Sequence, residues 1–198
     1  MSVPDELGKG GLPIAGFADL TAFSQWLDQQ PANSTGLWLR LAKKGSATLS
    51  LSKQQAIDAA LCHGWIDGQL GTCDANHFLV RLTPRKARSK WSQINCTRAE
   101  QLISEGLMTP DGLMQVTAAK ADGRWDAAYA PASTVTVPDD LQAALGASPA
   151  AAAFFAKLTG ANRYAILYRI GSVKRAETRA RKIAGFVAMM ERGETIHG

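Results

Sequence analysis

The sequence has few of the residues that mark an extracellular or metal-dependent protein. Its 198 residues include only 3 cysteines and 3 histidines. The odd cysteines Cys62, Cys73 and Cys96 cannot all pair within the chain, which excludes a disulfide-stapled scaffold and fits a reducing compartment. Cys62, His63, Cys73, Asp74 and His77 fall close together without a C-x-x-C knuckle, so no metal is expected. There is no G-x-S-x-G elbow and no glycine-rich phosphate loop, and no cofactor is expected. Nor is there an apolar run of the roughly twenty residues that a membrane-spanning helix needs. The opening MSVPDELGKGG places acids where a signal peptide carries positive charge. A cytoplasmic protein without membrane insertion is therefore expected.

At 46% hydrophobic and 20% charged, the chain is that of a folded protein with a genuine core. Its net charge of +5 is uneven: residues 1–80 hold 5 basic and 7 acidic residues, and residues 81–198 hold 17 and 10. Such a bias points to an anionic partner for the second part, with a merely basic surface as the alternative.

Phe17, Leu20, Phe23, Trp26 and Leu27 recur at helical spacing before Pro31, whereas Leu37, Leu39 and Leu41 alternate with Trp38, Arg40 and Ala42 as in a half-buried strand. Ser52 with Gln55 makes a capping box, and Gly64 suits the left-handed end of that helix. Asp67-Gly68 favours a turn, and Phe78, Val80 and Leu82 alternate as the second arm of a hairpin or small antiparallel sheet. Helices are predicted from Trp91 to Gly106 and from Thr109-Pro110 to Gly123. The uncharged Ala130–Pro138 stretch reads as a linker, and all that follows reads as helix. The expected fold is thus α+β. A flexible segment 1–16 precedes a small antiparallel or mixed sheet flanked by helices over 17–130, then a linker 131–137 and a helical module 138–198.

Two places carry chemistry. Arg81, Arg85, Lys86, Arg88 and Lys90 crowd together without an acid and lead into Trp91 and Asn95, a pattern suited to binding phosphates while a ring stacks. Asp67 stands between Trp65 and Gly68, where an apolar ring can raise a carboxyl pKa, although a simple turn hydrogen bond is the alternative. A second cluster, Lys174, Arg175, Arg179, Arg181 and Lys182, backs onto the stripe Ile183, Phe186, Val187 and Met190 and reads as the wet face of an amphipathic helix.

These residues also carry a resemblance. Trp38-Leu39, the run from Ala59 to Gly68 with G-W-I-D-G, Thr83-Pro84-Arg85-Lys86, Ser89-Lys90-Trp91-Ser92 with Asn95, and Glu105-Gly106-Leu107-Met108 resemble the bacterial YdeI or OmpD-associated family. Tyr164 and Thr178-Arg179-Ala180-Arg181-Lys182-Ile183 look like its C-terminal, bacteriocin-protection module. The resemblance runs from about Phe17 to Gly193 and implies a stress or antimicrobial-peptide resistance role without a defined reaction. A direct porin partner would require export, so an indirect role from the cytoplasm is expected.

The expected activity is binding of an anionic small molecule or protein partner by Trp65, Asp67, Arg85, Lys86, Arg88, Ser89, Trp91 and Asn95. One rival is an enzyme on a phosphorylated or carboxylated small molecule, with Asp67 as acid or base and Arg85 and Arg88 as anion clamp. Another is weak, salt-sensitive nucleic-acid binding. The enzyme needs Asp67 and the Arg85–Asn95 segment to converge on one pocket, and the nucleic-acid binder needs the two basic clusters on one face.

Overall fold

The computed structural model describes residues 6–31, 33–46, 48 and 50–197. The fold is α+β, and the chain divides into two compact units, residues 1–91 with 95–127, and residues 92–94 with 128–198. Residues 131–137 belong to the second unit, where Val135 and Val137 pack against its core.

The first unit is built on a four-stranded mixed sheet in the order β1-β2-β4-β3. Strands β1 (Ile14–Ala15) and β2 (Leu37–Ala42) run parallel, whereas β2 with β4 (His77–Pro84), and β4 with β3 (Trp65–Thr72), are antiparallel. Leu37, Leu39 and Leu41 pair across with Leu82, Val80 and Phe78, so the two apolar alternations share one face. Helices α1 (Leu20–Asp28) and α2 (Lys53–Cys62) cover that face with Phe23, Leu27, Ala56, Ala59 and Ala60. Asp19 caps α1 and the Ser52–Gln55 box caps α2. His63 closes α2: Nδ1 donates to the Ala59 carbonyl at 2.7 Å, and Nε2 meets Asp28 of α1 at 3.0 Å.

The opposite face of the sheet is covered as well, so β2 is not half-buried. Residues 6–16, expected to be loose, are tied back: Leu7 bridges Pro13, and the Trp38 indole N–H donates to the Lys9 carbonyl at 2.9 Å. Leu12 and Ile14 then bury Trp38 and Leu79. Gly8 is required here, because a Cβ on it would lie 2.6 Å from Trp38 Cδ1. A glycine-rich, polar composition suggests a loose segment, but here the missing side chain is what lets the backbone come close to an indole.

Asp67-Gly68 does not make the hairpin turn. Both residues lie within β3, where the register slips between Asp67 and Leu70; an Asp-Gly pair satisfies its preference for irregular backbone by bulging instead of turning. The turn comes after Thr72, where Asp74 Oδ1 accepts from the Asn76 and His77 amides at 2.7 and 2.8 Å. Those amides, with the His77 ring, hold the Asp74 carboxyl down at about 2.

Helices α3 (Gln93–Ser104) and α4 (Pro110–Ala121) complete the unit. Arg98 grips Asp58 of α2 bidentately, at 3.0 and 2.9 Å. Thr109 caps α4, and its amide and hydroxyl both donate to the Cys62 carbonyl that ends α2.

In the second unit, α5 (Asp139–Gly146), α6 (Pro149–Lys157), α7 (Gly160–Gly171) and α8 (Ala176–Glu191) surround Leu141, Leu145, Phe155, Ile166, Ile170, Ile183 and Met190. Arg179 of the second basic cluster pairs with Asp140 and donates to the Ile170 carbonyl, which holds the Asp140 carboxyl below its ordinary range. Part of that cluster is thus committed to joining helices.

All three cysteines are free. Burial pushes the Cys62 and Cys96 thiols up to about 11, with Asp58 adding to the effect at Cys62, while Cys73 is exposed. A thiol reagent at mild pH is therefore expected to label Cys73 alone in the native chain and all three after unfolding without reductant. Fewer than three in the unfolded chain would contradict this arrangement.

Candidate functional site

The antiparallel pairing of β3 with β4 sets Ile66 beside Thr83 and Asp67 beside Leu82, and the Arg85 amide donates to the Gly64 carbonyl at 3.0 Å. The acid that follows G-W-I and the arginine that follows T-P are thereby brought to one end of the sheet. Between them opens a cleft of about 650 Å³ whose charged walls are Asp67, Arg81, Arg85 and Lys86. Ser34, Thr35 and Thr83 add hydroxyls, and Leu12, Ile66 and Pro84 add apolar wall. Gly36 at the head of β2 has φ +100, and a Cβ there would meet the Leu82 carbonyl, so the loop carrying Ser34 and Thr35 lies hard against β4.

The expected site residues separate into three groups. Asp67, Arg85 and Lys86 line the cleft. Trp65 and Trp91 do not, because both are buried, at 4% and 1% exposure. Trp65 sits in the core with an edge contact to Trp26. Trp91 lies under Arg85, whose guanidinium carbon is 3.6 Å from the centre of the ring, so that face already carries a cation and no base stacks there. Arg88 is exposed on the loop, the Ser89 hydroxyl accepts from the Lys86 amide, and Asn95 is half-buried on α3; none of the three lines the cleft.

Arg85 is itself only 6% exposed. Stacked on Trp91 and donating to the Lys90 carbonyl at 3.1 Å, it is a cation held in one orientation at the back of the cleft. Lys86 is exposed. Among the described residues, no carboxylate pairs with Arg81 or Lys86, and Asp67 accepts no hydrogen bond. An ionised carboxylate only accepts and a guanidinium only donates, so the cleft presents donors on one side and an acceptor on the other. The Cys62, His63, Cys73, Asp74 and His77 neighbourhood yields no three-ligand metal group among the described residues.

Arg81 belongs to the basic run read as suited to phosphates but not to the eight expected site residues. Its signal is the period of two shared by Arg81, Thr83 and Arg85 in a strand. Ser34 and Thr35 carried no such signal, since only tertiary pairing brings their loop to β4.

Residues 15–115, more than half of the chain, match the family described as Domain of unknown function (DUF8412). The chain belongs to the DUF8412 family. Residues 134–193 match the family described as bacteriocin-protection, YdeI or OmpD-associated. No curated protein and no solved structure matches. Apart from Gly10 and Leu12, the cleft lies wholly inside the DUF8412 segment, as do the G-W-I-D-G, T-P-R-K and S-K-W-S motifs. The bacteriocin-protection match instead covers part of the second unit. No helix among the described residues is long and apolar enough to cross a membrane.

Proposed function

We propose that this chain is a binding protein of the bacterial cytoplasm that supports bacteriocin protection by holding an anionic ligand in the cleft of its first unit. The observation that carries this is the convergence of Arg81, Arg85 and Lys86 on one concave site of ligand size. The protective role draws on the family that residues 134–193 match. The cations come from β4 and the residues after it; strand geometry positions Arg81 and the stack on Trp91 positions Arg85, while Lys86 is exposed. Only the Lys86 side chain is left with much ordering entropy to offset the Coulomb gain on binding.

Calorimetric titration of the full chain with inorganic pyrophosphate at low salt tests this. Binding is expected that weakens as salt rises. Lys86→Ala should weaken it by about tenfold, equivalent to about 1.4 kcal/mol, with an unchanged melting temperature because the side chain is exposed. Lys182→Ala, in the second unit, should bind as the parent does. Absence of binding, or full affinity in Lys86→Ala, would rule the proposal out. The nucleic-acid reading draws less support, because Arg179 is engaged with Asp140.

A further inference from the structure

The cleft holds a contradiction for a simple anion site, namely a carboxylate among its cations. Asp67 is half-buried and accepts no hydrogen bond among the described residues. Arg81 lines the same cleft half-buried, and its Nε is fully buried without a hydrogen-bond partner. Asp67 sits across from Leu82, one residue along β4 from Arg81, and side chains one residue apart on a strand leave opposite faces of the sheet, so the two do not join. The register slips just beyond, between Asp67 and Leu70. The slip sets Gly68 over Arg81, with the Arg81 Cβ 4.0 Å from where a Gly68 Cβ would lie. Two half-buried, opposite charges thus border one cleft without neutralising each other, an arrangement that a ligand carrying both an anionic group and a hydroxyl donor can engage on both sides.

We propose that the ligand is a hydroxylated phosphate monoester, with its phosphoryl group on Arg81, Arg85 and Lys86 and a hydroxyl donating to Asp67. This rests on the anion-binding reading above and makes it specific. Three cations against one carboxylate leave the cleft at a formal +2, which matches a phosphoryl group of about −1.5 to −2 near neutral pH. Asp67 supplies the selection. A ligand that is anionic throughout meets repulsion from it, whereas a sugar hydroxyl donates a charge-assisted hydrogen bond to it. The hydroxyls of Thr35 and Thr83 suit the remaining sugar oxygens, and at about 650 Å³ the cleft has room well beyond a bare phosphate.

The test titrates the full chain with glucose 6-phosphate, ribose 5-phosphate and inorganic pyrophosphate, using the wild type, Asp67→Ala and Arg81→Gln. At least one sugar phosphate should bind the wild type more tightly than pyrophosphate does. Asp67→Ala should weaken that sugar phosphate about fivefold or more, yet hold pyrophosphate as tightly as the wild type or more so, because a repulsion is gone. Arg81→Gln should weaken all of them. If pyrophosphate binds and neither sugar phosphate binds more tightly, or if Asp67→Ala weakens pyrophosphate and sugar phosphate alike, the sugar-phosphate assignment falls and the anion site stands. If none of the three binds, both fall. Should Asp67→Ala fail to fold, Asp67→Ser provides the same comparison, and the wild-type ranking already decides against the proposal if pyrophosphate leads.

Discussion

Gly112→Ala is expected to destabilise the first unit by about 3 kcal/mol, although alanine is the better helix former by about 1 kcal/mol. Gly112 lies in the first turn of α4, and a Cβ on it would sit 2.1 Å from the Cys62 carbonyl oxygen and 2.8 Å from the carbonyl carbon. The obstacle is backbone, so no side chain can turn aside. The same oxygen accepts from the Thr109 amide at 3.1 Å and the Thr109 hydroxyl at 2.7 Å. Backing α4 away to admit a methyl group therefore breaks both bonds, and each is worth about 1 kcal/mol. Gly185 in α8 is the internal control. It has no atom within 4 Å of its Cβ position, so Gly185→Ala should stabilise by about 0.5–1 kcal/mol. Urea unfolding midpoints check both, and a Gly112→Ala chain as stable as the parent would refute the close contact.

In the second unit the largest effect is expected at Asn162, which is 8% exposed. Its Oδ1 accepts from the Ile196 and His197 amides at 3.1 and 2.9 Å, and its Nδ2 donates to the His197 carbonyl at 3.1 Å. One amide side chain thus fastens residues 196–197 to α7, and Ile196 packs on the helical core beside it. Asn162→Ala should cost about 2 kcal/mol, somewhat less than three separate bonds, because the released amides regain water. The more specific readout is hydrogen exchange at the Ile196 and His197 amides, which should accelerate to nearly the rate of an unstructured peptide. Unchanged protection there would show that something else holds this segment.

The elements that were legible in the sequence are those whose signals are local. Ser52 with Gln55, Thr109 before Pro110, and Ser148 before Pro149 each cap a helix through their own side chain, and Gly64 takes the left-handed φ of +74 that its place after α2 required. The alternation of Leu37–Leu41 and Phe78–Leu82 gave the strands. What could not be read depended on distant partners. Trp38 is buried because residues 6–16 return to cover it, and nothing local distinguishes a loop that docks from one that does not. Trp91 looked like a stacking platform from its basic neighbours, yet the nearest of them in space, Arg85, occupies its face. For the candidate site, the strand pairing expected between the Trp65 and Phe78 stretches brought Asp67, Arg85 and Lys86 together, whereas Arg88, Ser89 and Asn95 lead away from the strand end and so leave the cleft.

The covering of the second sheet face by residues 6–16 also ties recognition to local order. Gly10 and Leu12 form part of the cleft wall, so the cleft is complete only while that segment lies on Trp38. Any occupant that touches this wall binds the docked form and not the undocked one, and by mass action it holds the segment down with a strength set by its concentration relative to its dissociation constant. Protease sensitivity around Lys9 thus becomes a gauge of occupancy, falling as the cleft fills, and a substitution such as Gly8→Ala, which forces the backbone off the indole, weakens ligands that it never contacts.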